Sequence, residues 1–372
     1  EPDTSEETVL QALNRISHDC KLKSFNRSAF RDLLRCTEVA EYWHIVPVPE
    51  GQVYDAMGFV SKFKVRVTAF TPWNGDKLYP YFDETGDMKA FSREFIRKDE
   101  NDKSITYFEV YTSDRHILWQ QEASNWSVLR DVKLPYGKIP VVYVCQEAVE
   151  WVDVQICIER LEYLLSKFAE TNDYHASPKI FVEGTLTGFA EKGESGAILQ
   201  GDAGAKAYYL SWDHAPESVK LEIETLIRFI YGQTQTPDIS FDSVKGLHQI
   251  SGEALKMLFM DAHLKVEEKR ETLDNYLQRR VNVQKSIIAV LSKELKKAAD
   301  NLQVEPEIIP YIIDDTTTRI ENLTTATGGK AIMSKKTAIK LLGMANDVDE
   351  ELTQIQAEES AANVTNIFEP TE

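Results

Sequence analysis

The stretch GEALKMLFMDAHLKVEEKRETLDNYLQRRVNVQKSIIAVLSKELKKAA, from Gly252 to Ala299, holds no proline and no glycine after its first residue. Its apolar residues recur at Leu255, Leu258, Phe259, Ala262, Val266, Leu273, Leu277, Ile288, Leu291 and Leu295. Steps of three and four residues describe one face of a helix. Straight, such a helix would span ~70 Å at 1.5 Å per residue. Periodicity far beyond 25 residues marks a coiled coil, a repeat, or a helix that several partners bury. Lys269-Arg270 and Arg279-Arg280 interrupt the stripe, so a kink or a change of partner is expected there.

Working back towards the N-terminus, Thr234–Ser251 has no stable period and contains Pro237 and Gly246, which reads as a loop. Connections this long in compact domains usually carry function or are disordered. Before it lie two amphipathic helices. One runs from Val152 to about Asn172 through Val154, Ile158, Leu161, Leu165 and Phe168. The other starts at Pro216 with Glu217 beside it and carries Val219, Ile223, Leu226, Ile227 and Ile230. Between them sits the glycine-densest part of the chain, flanked by strand-like Lys179–Glu183 and Ala205–Trp212. Residues 1–150 read as mixed α and β. A T-x-x-E box at Thr4 and Glu7 opens one short helix, and a second centres on Phe30, Leu33 and Leu34. After Pro47 and Pro49 the period becomes two. Phe63, Val65, Val67 and Ala69 alternate with polar residues, Asp83–Asp87 forms a turn, and Ile105–Tyr111, His116–Gln121 and Val128–Leu134 continue an antiparallel meander. Beyond the long helix, Ile308–Ile313 reads as a short strand. Ser334 then opens a helix that Gly343 ends, and Asp347 with Glu350 opens the next.

Composition narrows the function. Sixty acidic residues against forty-two basic ones give a formal charge of −18. Tight DNA binding rests on Lys and Arg neutralising phosphates, so any basic patch must be local. No apolar run approaches the ~20 residues of a membrane helix. There is no secretory signal, and the chain opens at Glu1 rather than Met, as a piece cut from a longer chain would. The four cysteines, Cys20, Cys36, Cys145 and Cys157, show no C-x-x-C spacing, which points to a reduced, intracellular compartment. The sequons at Asn26, Asn125, Asn322 and Asn363 therefore carry no weight. No Walker loop, dinucleotide fingerprint, nucleophile elbow or H-E-x-x-H is present, and Gly193-Glu194-Ser195-Gly196 fails as an elbow by position. His263 lies one step past the apolar stripe and reads as structural. Asp347 and Asp349 fit a helix's first turn better than a cation site. Asp314-Asp315 is the best isolated carboxylate pair, and a pair by chance is expected among so many acids. No cofactor and no metal site is expected.

The order of parts resembles the portal proteins of tailed double-stranded DNA bacteriophages. Leu134-Pro-Tyr-Gly-Lys-Ile-Pro-Val-Val-Tyr-Val144 is similar to the last wing strand of that family, and Ile158 through Leu165, Phe168, Asn172 and Asp173 to its first stem helix. Ser251-Gly-Glu-Ala-Leu-Lys-Met-Leu258 resembles the motif that follows the tunnel loop. Lys330–Ala338, Asn346–Glu351 and Ile355–Glu358 resemble the closing helices. The resemblance implies an α+β portal fold: wing 1–150, first stem helix 151–176, clip 177–212, second stem helix 213–233, tunnel loop 234–251, long helix 252–299, a strand returning to the wing over 300–325, and crown helices 326–372. It lacks the family's N-terminal segment, and 51–130 has little motif-level match. It further implies a dodecameric ring at one capsid vertex of the virion, assembled in the host cytoplasm, with no catalytic residues and no membrane partner. DNA would pass through the channel without tight binding, past Asp238, Asp242, Lys245 and His248. Terminase and the head-completion or tail adaptor would dock on the clip, where Lys179, Glu191, Lys192, Glu194 and Lys206 are the charged candidates. Major capsid and scaffolding proteins would be further partners. Two other readings stand beside it: an oligomeric helical scaffold or adaptor without a DNA channel, and a carboxylate-dependent hydrolase using Asp314 and Asp315.

Overall fold

The computed structural model describes residues 4–98, 102–122, 125–176, 179–188, 200–201, 203–210, 216–238, 257, 259–310, 316–345 and 347–367. The chain is mixed, 49% helical and 25% strand, which makes it α+β. It divides into two compact units, Glu1–Thr236 with Lys265–Ile308, and Pro237–Leu264 with Ile309–Glu372.

In the first unit, α1 (Thr4–Asp19) buries Val9, Ala12, Leu13 and Ile16, a single stripe at helical spacing. Helix α2 (Leu22–Cys36) follows a tight corner at Lys21 and stops at Thr37; both residues are left-handed, and the Thr37 N–H closes onto the Leu33 carbonyl. The chain then enters β1 (Glu38–Pro47), the middle strand of a three-stranded antiparallel sheet. Its neighbours are β2 (Phe63–Phe70) and β8 (Val141–Cys145). The period-two segment from Lys77 to Lys133 folds as the expected meander, β3 (Lys77–Phe82), β4 (Met88–Lys98), β5 (Ser104–Tyr111), β6 (Arg115–Glu122) and β7 (Asn125–Lys133), in that spatial order.

The three-stranded sheet is covered on both faces. On one side Val39, Trp43, Val142 and Val144 meet α1, α2 and the long helix. On the other side Ala40, Phe70, Val141 and Tyr143 pack with Leu78, Phe91 and Tyr111 of the five-stranded sheet. Stacked aromatics join the two sheets, with Tyr42 lying 4.7 Å from Tyr111 and Phe70 6.4 Å from Phe91 between ring centroids. These rings are core packing.

The long helix, α5, is described from Met260 to Leu291. It passes both basic pairs without a break, because each finds a local use. Arg270 pairs with Glu267 and Asp274, and Arg280 is buried against β1. The helix ends at Leu291 rather than at Ala299. Leu295 N–H donates to Ser292 O in a tight turn before α6 (Lys296–Asn301), yet Leu295 still reaches the same core. The apolar stripe therefore continues through a break that periodicity alone cannot see.

The second unit holds α7 (Thr316–Thr327), α8 (Lys335–Leu342) and α9 (Val348–Ile367). Residues 303–310 are described without a strand, the remaining residues of the expected strand Ile308–Ile313 lie outside the described residues, and α7 occupies the end of the 300–325 span. Its β-branched threonines are accommodated by back-bonding. Thr325 and Thr327 hydroxyls donate back to the carbonyls of Glu321 and Leu323, at 2.8 and 2.9 Å. The closing helices begin and end where the caps placed them. Ser334 Oγ accepts from Thr337 N–H, Gly343 takes φ 71°, and the Asp347 carboxylate accepts from the N–H groups of Asp349 and Glu350. Lys335–Glu359 and Lys336–Asp349 tie α8 to α9.

Candidate functional site

Helix α3 (Gln155–Ala176), about 33 Å long at 1.5 Å per residue, lies beside α4 (Pro216–Gln233). An Arg160–Glu222 ion pair crosses between them at 2.8 Å. They carry a two-stranded ribbon, β9 (Lys179–Glu183) against β12 (Lys206–Leu210), with a short β10 (Leu186–Gly188) and β11 (Gln200–Gly201) pair beyond it. Apolar side chains remain open on the helix pair: Ile156 is 80% exposed, and Leu165, Leu221 and Phe229 are also exposed. Surfaces of this kind mark protein contacts.

The ribbon separates two of the expected docking residues. Lys179 pairs with Leu210 at one end and Lys206 with Glu183 at the other, four residue steps or ~13 Å apart. Lys206 is exposed. Glu191, Lys192 and Glu194 lie outside the described residues. Of the expected tunnel residues, Asp238 is half-buried and engaged, while Asp242, Lys245 and His248 lie outside the described residues. Asp314 and Asp315 also lie outside them. Among the described residues no group of His, Cys, Asp and Glu could hold a metal ion, and no helix is long and apolar enough to cross a membrane.

A clamp that the sequence did not reveal fixes both ends of the segment between α4 and α5. Helix α4 stops at a left-handed Gln235, with Thr236 N–H closing onto Tyr231 O at 3.0 Å. That leaves the Thr234 carbonyl free to accept 2.8 Å from Lys265 Nζ, on α5. Lys265 also pairs with Glu150, just before α3, and Lys269 reaches the same carboxylate at 3.0 Å. Burial works to raise the Glu150 pKa, but hydrogen bonds and charge from the two lysines outweigh it and leave the carboxyl below its ordinary value. One acid thus ties the entry of α3, the exit of α4 and the return of the chain into α5. The available signal was Lys265 and Lys269, one helical turn apart on one face.

A second anchor holds α5 to the sheet. Glu41 of β1 is 0% exposed. It accepts from Arg280 Nε at 2.9 Å and Trp43 Nε1 at 3.0 Å, and also from Arg280 Nη2 and Tyr276 Oη. Arg280 Nη1 donates to Asn26 Oδ1 of α2 at 2.9 Å. Burial alone would lower the Arg280 pKa; the adjacent carboxylate overrides it and holds the guanidinium charged.

Paired levers, a projecting ribbon, ion-pair anchors and open apolar helix faces are the equipment of a structural subunit that assembles with others. The family of phage portal proteins, SPP1 Gp6-like, matches residues 3–365, and the chain belongs to it. No curated protein matches the chain. The family is structural, not enzymatic, and implies an oligomeric ring associated with capsid and DNA at the capsid vertex of the virion.

Proposed function

We propose that this chain is the ring subunit of a DNA channel at the capsid vertex, through which the genome is packaged and later ejected. The ring is a dodecamer. The ribbon β9–β12 and the residues beyond it form the clip on which terminase and then a head-completion protein dock, and the segment 234–251 faces the DNA as a tunnel loop. The observation that carries this reading is that α3 and α4 leave apolar side chains open, with Ile156 and Leu165 on opposite sides of α3. Ile156, Leu165, Leu221 and Phe229 have no cover among the described residues, and identical neighbours in a closed ring would cover them all alike. The clamp at Lys265 supports the tunnel assignment, because it joins the end of α4 to the start of α5 at one point.

Negative-stain electron microscopy of the purified protein tests the ring. Closed rings with a central hole are expected, and Ile156→Glu with Leu221→Glu should shift them to monomers without loss of helicity. Monomers alone from the unmodified protein at micromolar concentration would count against the reading. Deleting Ile239–Lys245 should leave rings intact and impair DNA packaging or retention. Loss of rings would make that segment structural.

A further inference from the structure

Two observations meet at β7. It is the last strand of its sheet, and among the described residues its ladder runs only to β6. All nine of its residues are exposed, yet it presents Trp126, Val128, Leu129 and Val132. Edge strands usually protect themselves with lysine, proline or a covering loop, and a bare apolar edge is a template for another strand. The two sides of this edge also differ in chemistry. A bulge between Leu118 and Trp119 places Leu129 and Arg130 together on a cavity of about 570 Å3 between the two sheets. On the opposite side of the sheet, Trp126 joins Phe108, Trp119 and Glu94 around a second hollow of about 390 Å3.

The first cavity is cationic and under-satisfied. Its lining holds Arg93, Arg97 and Arg130 against one acid, Glu109. Arg93, 8% exposed, is wedged between the rings of Phe70 and Phe95 at 3.7 and 4.0 Å. Its Nη1 donates to Asp76 at 3.5 Å and its Nη2 pairs with Glu109 at 3.2 Å, but its Nε has no partner among the described residues. His116, 4% exposed, leaves Nε2 without a hydrogen bond, 4.0 Å from Glu109, and His44 Nδ1 is likewise unpaired. Arg97 and Arg130 are exposed and have neither hydrogen bond nor ion pair among the described residues.

We propose that β7 is the docking edge for an extended acidic segment of a partner protein. The segment adds to the sheet as a sixth strand, setting a carboxylate against Arg130 and an apolar side chain against Trp126. Successive side chains of a strand point to opposite faces, so one peptide alternating acidic and apolar residues satisfies both sides at once. A residue directly opposite Arg130 has its Cβ ~4.5–5.5 Å away, within reach of a carboxylate–guanidinium pair. A phosphate would satisfy the arginine, but a nucleic acid has no peptide backbone to continue the open amide ladder.

The test uses the full chain and a fluorophore-labelled octapeptide alternating leucine with glutamate, read by fluorescence anisotropy, with a leucine–lysine octapeptide as control. The glutamate peptide should bind at least tenfold more tightly than the lysine peptide and slow amide exchange across Asn125–Lys133. Arg130→Ala should weaken it about tenfold, Arg97→Ala on the distant β4 should leave it nearly unchanged, and Arg130→Glu should reverse the preference. Both arginines are exposed, so circular dichroism should be unchanged in each variant. Equal binding of the two peptides, binding indifferent to the Arg130 variants, or no protection of β7 would overturn the proposal.

Discussion

Replacing Glu41 by glutamine should destabilise the first unit by about 3–5 kcal/mol, the cost of breaking a buried ion pair by removing one partner. The structure supports the upper part of that range. The carboxylate has no exposed surface and accepts from three side chains, Arg280, Tyr276 and Trp43. Glutamine is nearly isosteric, but it removes the charge and turns an amide donor towards groups that already donate. Arg280, 5% exposed, then keeps Asn26 and at most one neutral amide oxygen in place of a carboxylate. The control is Glu41→Leu with Arg280→Met. Removing both charges leaves neither stranded, so the double variant should fall within about 1–2 kcal/mol of the parent although each single change is severe. Urea unfolding followed by far-ultraviolet circular dichroism would measure both, on the Ile156→Glu, Leu221→Glu background so that assembly does not contribute. A loss below about 1 kcal/mol for Glu41→Gln, or a double variant as unstable as the sum of its singles, would refute the reasoning.

Ile287→Ala should cost about 2–5 kcal/mol in the same assay, since Ile287 is fully buried where α5 meets the sheet and leaves a cavity when shortened. Glu150 gives a pH dependence with a definite sign. Its folded pKa lies below the ordinary value of 4.5, so the clamp's contribution is present above that value and is lost as pH falls through the folded pKa. Protection of the amides in the first turns after Lys265, corrected for intrinsic exchange, should therefore fall as the pH drops below the ordinary carboxylate range, and Glu150→Ala should abolish that pH dependence. In the closing helices, Ser334→Ala should cost about 1 kcal/mol by removing the N-cap. Gly343→Ala should cost a similar ~1 kcal/mol through backbone strain alone, because no atom lies within 4 Å of the added Cβ. Both are readable as a lowered urea midpoint.

Periodicity made the amphipathic elements legible and hid the fully buried one. Strand β2 and the β3–β7 meander alternate because each has two unlike faces. Strand β1 does not alternate: Val39, Ala40, Glu41 and Trp43 are all buried, one face against helices and the other against the second sheet. An acid at its centre argued further against a core strand, although that acid is the anchor of α5. The caps at Ser334, Gly343 and Asp347 were readable because their chemistry is local. The Glu150 clamp was not, because it joins residues more than a hundred positions apart and each of them alone reads as an ordinary surface charge. The break at Ser292 was hidden for a third reason, since the turn returns Leu295 to the face the helix had been using. The tunnel and clip assignments stood on resemblance to the portal family, and of their residues only Lys179, Lys206 and Asp238 fall among those described.

The net charge of −18 is a poor guide to whether such a chain can handle DNA, because it ignores where the cations are already spent. Residues 253–300 carry ten Lys or Arg against eight Asp or Glu, which looks like a basic stripe on an acidic protein. Yet Arg280 is buried on Glu41, Lys265 and Lys269 share Glu150, and Arg270 pairs within its own helix. Each of these would have to break an existing pair before it could neutralise a phosphate. Affinity for a duplex grows with the number of phosphates neutralised, so cations committed inside the subunit add little grip. In the proposed channel that is an advantage, since every persistent phosphate contact would retard a moving duplex. Arg97 and Arg130 are different. They are uncommitted and sit at the mouth of a cavity between two sheets, a place suited to a carboxylate side chain and too confined for a duplex. The same acidic composition is therefore compatible with weak contact to DNA in one place and selective capture of an acidic protein segment in another.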